Sequence, residues 1–132
     1  MNRPLNKLPQ QHRLGQRAET LTRQWLVTHG YRIEDTNVRY AVGEIDIVAW
    51  DRGTLCFIEV RSTSSMEWGG PLATVTDPKR RRLVRAARCY LQRLPQIPES
   101  VRFDVIAILW PPASPPVVEL VQNAFEEIGD SH

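Results

Sequence analysis

Two β-rich runs joined by a short turn constrain this chain more than any other feature. Glu44-Ile45-Asp46-Ile47-Val48-Ala49-Trp50 and Leu55-Cys56-Phe57-Ile58-Glu59-Val60-Arg61 flank Asp51-Arg52-Gly53-Thr54. A Gly-containing connection between two such runs signals a hairpin. A turn centred between Arg52 and Gly53 pairs Trp50 with Leu55, Val48 with Phe57 and Asp46 with Glu59. Directly opposed residues share a face, and alternation adds Glu44 and Arg61 to it. The reverse face is then Ile45, Ile47, Ala49, Cys56, Ile58 and Val60. The hairpin is apolar on both sides, yet its open end carries carboxylates and a guanidinium. Like charges placed opposite one another destabilise a sheet, and desolvating them adds to the cost. Asp46 against Glu59 therefore calls for a cation. Arg61 could supply it within a partly solvated charge cluster. A divalent metal is the sharper alternative: two carboxylates with backbone carbonyl and water form a hard-oxygen set suited to Mg²⁺ or Mn²⁺.

The rest of the chain frames this hairpin. Over residues 12–29, Leu14, Ala18, Leu21 and Trp25 recur at helical spacing, and Gly30 should end the helix in a left-handed conformation. Residues 31–40 read as a first strand and residues 62–76 as a loop. Thr76 is a suitable N-cap before Asp77 and Pro78, opening a helix to about residue 94 with an apolar stripe of Leu83, Ala87, Tyr90, Leu91 and Leu94. Residues 101–110 form a nearly continuous apolar strand, interrupted by Arg102 and Asp104, that belongs inside a sheet. The Pro-rich stretch 111–116 predicts an extended connector, and residues 117–121 a short edge strand. The order α-β-β-β-α-β(-β) gives an α/β fold with a mixed sheet.

A chain of 132 residues is one domain's worth. Residues 1–10 read as a loose basic arm and 126–132 as an acidic tail. With 42% apolar and 24% charged residues the composition excludes wholesale disorder. No signal peptide is evident, and the longest strongly apolar run, residues 105–110, is too short to cross a bilayer. Cys56 and Cys89 lack metal-ligand spacing and read as free buried thiols, so a cytoplasmic location away from membranes is expected. His12, His29 and His132 match no zinc spacing, and Gly69-Gly70 lacks the Lys-Ser/Thr of a phosphate loop.

The net charge of +2 conceals a pattern: +5 over residues 1–32, −4 over 33–76, +6 over 77–93 and −5 over 103–132. Fifteen of the 17 cations are Arg, whose planar fork fits phosphate, although GC-rich coding also inflates Arg. The second helix concentrates Lys79, Arg80, Arg81, Arg82, Arg85, Arg88 and Arg93 against one acid, Asp77. Few acids stand nearby for i,i+4 pairing, so the run fits sequence-independent contact with a nucleic-acid backbone.

The succession Gly43-Glu44-Ile45-Asp46-Ile47-Val48-Ala49, then Phe57-Ile58-Glu59-Val60-Arg61, resembles the Asp, Glu-x-Lys core of the PD-(D/E)XK nuclease superfamily. More narrowly, the chain resembles the YraN-like family of uncharacterised bacterial proteins, itself similar to archaeal Holliday-junction resolvases. The likeness also takes in Ala18-Glu19, Gly69-Gly70-Pro71, the basic helix, Arg102-Phe103-Asp104-Val105 and Asn123-Ala124-Phe125. It implies a restriction-endonuclease-like α-β-β-β-α-β core. It also implies metal ligation by Asp46 and Glu59, with the Val60 carbonyl a third donor and Glu19 a helix-borne acid of the same site. Arg61 departs from the pattern, standing where the superfamily has Lys. Arg stays protonated, so it cannot act as a general base, although it can orient a nucleophile or neutralise charge at phosphorus.

Two functions follow as expectations. One is a Mg²⁺-dependent endonuclease acting on DNA, including branched or junction DNA, with a homodimer compatible with junction-cleaving relatives. The other is a catalytically inactive nucleic-acid-binding module that keeps the fold. A protein-interaction adaptor using the acidic tail and the proline segment is a third, weaker reading.

Overall fold

The structure, a computed structural model, describes residues 15–63 and 75–124. Chain order is α1 (Gln16–Thr28), β1 (Arg32–Tyr40), β2 (Gly43–Asp51), β3 (Thr54–Thr63), α2 (Asp77–Gln92), β4 (Ser100–Leu109) and β5 (Val117–Val121). The strands make one sheet in the order β1-β2-β3-β4-β5. All neighbours are antiparallel except β3 and β4, which run parallel because α2 crosses over between them. The α/β class and the α-β-β-β-α-β order read from sequence both hold.

Each helix covers one face. Ala18 and Leu26 of α1 pack on Ile47, Ala49, Cys56, Ile58, Val60, Ile106 and Ile108. Leu83, Val84, Ala86, Ala87, Cys89 and Tyr90 of α2 pack on Val48, Leu55, Phe57, Phe103 and Val105 from the other side. Phe57 is fully buried there between Tyr90 and Phe103, at ring separations of 5.9 and 5.8 Å. Burying a side chain of that size contributes about 1.5–3 kcal/mol. The buried face of α2 is wider than its expected stripe, since Val84, Ala86 and Cys89 join it.

Helix α1 ends as its glycine requires. Gly30 sits at φ +90, and the Gly30 and Tyr31 N–H groups close on the Val27 and Leu26 carbonyls, a Schellman arrangement. Strand β3 runs to Thr63, beyond the expected loop start, because Ser62 and Thr63 continue the ladder to Ile108 and Leu109. The Pro-rich connector turns back, since β4 and β5 are antiparallel neighbours. β4 lies inside the sheet and β5 at its edge, as their composition predicts. The basic arm, the acidic tail, Gly69-Gly70-Pro71, His12, His132 and Phe125 lie outside the described residues.

Candidate functional site

The hairpin register is as expected from the turn to Ile47↔Ile58 and stops there. Asp46 does not pair with Glu59 in the ladder. Its Oδ2 instead accepts the Val60 backbone N–H at 2.9 Å, and the side chain is buried. Strict alternation also fails at this point. Ile47 packs toward α1, whereas Ile45 joins Val48 in the α2-side core, not the reverse face assigned from sequence. β1 breaks its alternation at the same level. Asn37, between the pairs Thr36↔Ile47 and Val38↔Ile45, adopts φ 55. One left-handed residue reverses the side-chain parity of a strand, and Asn tolerates that conformation. Thr36 accordingly meets Arg23 of α1, and Val38 packs under α2.

Beyond this kink, Glu59 emerges into a cleft of about 340 Å³. Arg39, Glu44, Lys79 and Arg82 share its walls, and Tyr40, Ala41, Val42 and Gly43 of the β1–β2 turn close it. Glu59 Oε2 accepts from Arg61 Nη1 at 3.3 Å, with both side chains largely buried. Arg39 and Glu44, facing each other across the turn, are 3.5 Å apart. Gly43 brings the turn against the α2 backbone. A Cβ there would lie 2.4 Å from the Arg82 carbonyl oxygen. The sequence reading missed Arg39 and the turn as cleft elements; the sign was available in Arg39 and Glu44, spaced to oppose one another across a tight turn.

The other candidates are dispersed. Lys79 and Arg82 reach the cleft. Arg81 and Arg85 are exposed on α2 and Arg88 is half-buried. Arg80 turns back, its Nε donating to the Val75 carbonyl at 3.0 Å with Asp77 4.0 Å away. Glu19 lies on α1, 3.5 Å from Arg23, which in turn donates to Thr36 beside the kink. Among the described residues, no three His, Cys, Asp or Glu side chains gather into a metal cage.

Arg102 and Asp104, which read as interruptions of an apolar strand, form a buried network. Asp104 is fully buried and accepts Arg102 Nε at 2.9 Å and Nη2 at 3.0 Å. The same Nη2 donates to Asp51 Oδ2 and to the Tyr31 hydroxyl, which also accepts from Gln122. The Asn123 N–H closes on Asp104 Oδ1 at 2.9 Å, and the Ala124 N–H on the Phe103 carbonyl at 2.8 Å. The hydrogen bonds that Arg102 donates to Asp104 and Asp51 hold its pKa above the ordinary value against the opposing effect of burial. Cys56 and Cys89 are free and buried. Burial, with help from the Asp104 charge, pushes the Cys56 thiol up to about 12.

Among the described residues no helix is long and apolar enough to cross a membrane. Residues 18–108 match the model of the uncharacterised protein family UPF0102. A UPF0102 protein of Chlorobium limicola is 47% identical over 98 residues, covering 74% of this chain and 76% of that one. One from Symbiobacterium thermophilum is 42% identical over 113 residues, covering 86% and 96%. One from Desulfosudis oleivorans is 38% identical over 119 residues, covering 90% and 94%. The matched span runs from the start of α1 to the end of β4 and so contains the kink, the cleft and the basic helix: the chain belongs to the UPF0102 family.

Proposed function

We propose that the protein is a metal-dependent nuclease of the PD-(D/E)XK kind that hydrolyses phosphodiester bonds of DNA, branched or junction DNA included. One observation carries the reading: Glu59 opens into a cleft shared with Arg39, Lys79 and Arg82, next to a strand end where Asp46 is buried and held by Val60. Carboxylates beside a wall of cations suit a scissile phosphate, whose negative charge the cations receive. Asp46, Glu59 and the Val60 carbonyl would hold Mg²⁺ or Mn²⁺, with Glu19 as an outlying acid. Such an ion lowers the pKa of a bound water and polarises the phosphoryl oxygen. Arg39, Lys79 and Arg82 bind the backbone, and Arg61 orients the attacking water or neutralises charge at phosphorus.

Incubation with linear, nicked and four-way-junction DNA in Mg²⁺ or Mn²⁺ tests the reading. Cleavage that Asp46→Asn and Glu59→Gln abolish is expected. No cleavage of any substrate, or equal cleavage by the variants, overturns it.

A second reading rests on Arg61. Its guanidinium already occupies one Glu59 oxygen, at 3.3 Å, so the chain carries its own cation where a metal would bind. On this reading the protein is a DNA-binding module without turnover. It then binds DNA equally well in chelator and in Mg²⁺, and cuts none.

A further inference from the structure

Trp110 follows β4 directly and lies beyond the Thr63↔Leu109 pair, at the same end of the sheet as Glu59 and Arg61. It is half-buried. Its indole N–H donates to Ser62 Oγ at 2.7 Å, which fixes the ring relative to the residue after Arg61. The Arg17 guanidinium of α1 lies 4.8 Å from the ring centroid, a cation–π arrangement. A cleft of about 330 Å³ opens here, lined by Arg17, Thr20, Leu21, Gln24, Trp110 and Pro116.

These parts have a common chemistry. The indole packs against the α1-side core and the Arg17 guanidinium lies over it, so the planar surface offered to the cleft is the guanidinium held on the ring, on which an unpaired base stacks irrespective of its identity. The Gln24 amide and the Thr20 hydroxyl supply donors and acceptors for a base edge. The positive charge of Arg17 suits the phosphate that accompanies any such base. None of this fits a duplex, in which the base faces are already covered. We infer that the Arg17–Trp110 cleft is a stacking site for an unpaired nucleobase, so that the protein favours DNA with a single-stranded segment beside the duplex. This inference rests on the nucleic-acid reading above and adds a substrate feature to it.

Fluorescence titration tests it, with a blunt duplex and the same duplex carrying a short overhang that contains 2-aminopurine. The full-length wild-type chain should prefer the overhang by about tenfold, in the range that one base–aromatic stack provides. Binding should quench the 2-aminopurine. Trp110→Ala and Arg17→Ala should each reduce the preference severalfold while leaving blunt-duplex affinity nearly intact. Trp110→Phe, which keeps a ring but loses the bond to Ser62, should retain most of it. Equal preference in wild type and Trp110→Ala, with duplex binding intact, overturns the stacking site alone. Displacement of the overhang by a proline-rich peptide at low concentration also overturns it, by assigning the cleft to a peptide. Absence of binding to either DNA overturns the nucleic-acid reading and the stacking site together.

Discussion

The Asp46 carboxylate takes the Val60 backbone N–H at 2.9 Å where the β2–β3 ladder ends, so one side chain stands in for a missing rung. That contact separates two functions of one residue. Asp46→Asn keeps an acceptor oxygen and loses the charge. Asp46→Ala leaves a buried N–H without its partner, which costs about 1–3 kcal/mol. Urea unfolding should therefore find Asp46→Asn near wild type and Asp46→Ala clearly weaker, while both lose cleavage. Equal destabilisation by the two variants would show that the charge, not the acceptor, supports the fold.

Gly43 makes the cleft a matter of backbone contact. A methyl group there meets the Arg82 carbonyl at 2.4 Å, and a helix backbone moves less readily than a side chain. Gly43→Ala should cost about 1–3 kcal/mol, as other overpacked sites do. A lowered thermal midpoint with reduced DNA affinity is expected, because Arg82 moves with the helix. An unchanged midpoint would mean that the turn shifts and the helix stays.

Asp104 anchors the network that ties the end of β5 to β4. Removing one partner of a buried ion pair costs about 3–5 kcal/mol because the other charge stays behind. Asp104→Ala leaves Arg102 with Asp51 and Tyr31 alone and releases the Asn123 N–H. It should be among the most destabilising single changes in the chain. Hydrogen exchange at Asn123 and Ala124 should rise first, and protection equal to wild type would refute the coupling.

Strand order, helix positions and the hairpin register were legible because they depend on alternation, on helical spacing and on one Gly-containing turn. Three other features were not. The face reversal at Asp46 lies opposite the left-handed residue Asn37 of the neighbouring strand, and the residue pattern of β2 contains no trace of it. Arg102 and Asp104 read as polar breaks because their partners, Tyr31, Asp51 and Asn123, are far off in sequence. In α2, charge alone could not separate Lys79 and Arg82, which reach the cleft, from Arg80, which caps Val75. Each failure is a tertiary contact overriding a local pattern.

Cys56 should make stability sensitive to alkali. Its thiol is moved from 9.0 up to about 12, chiefly by burial. A proton held more tightly in the folded state stabilises that state. The contribution is complete below about pH 9 and is lost as pH rises toward 12. Tyr90, moved by burial from 10.0 to about 12, acts in the same direction from a slightly higher pH. Unfolding midpoints in urea should fall between pH 9 and 11, and Cys56→Ala should flatten the lower part of that fall. Coincident profiles for the two proteins would exclude Cys56 as the source. At pH 8 the native Cys56 thiol should resist alkylation until the chain unfolds, since the thiolate is the reactive form.

The cations of α2 divide by what they touch, and salt dependence can count them. Each phosphate contact contributes roughly 0.9 to the slope of log affinity against log salt on duplex DNA. Arg81 is exposed on α2 and Arg82 is exposed at the cleft. Arg81→Gln and Arg82→Gln should each lower the slope by about one and weaken all sequences alike. Arg80 already donates to the Val75 carbonyl at the helix start. Arg80→Gln should therefore lower the thermal midpoint and leave the slope nearly unchanged. Titrations of one duplex at several salt concentrations, with a melting curve for each variant, separate the two classes. If Arg80→Gln moved the slope as far as Arg82→Gln does, the basic helix would act as an undivided charge, and the bond to Val75 would not withhold Arg80 from DNA.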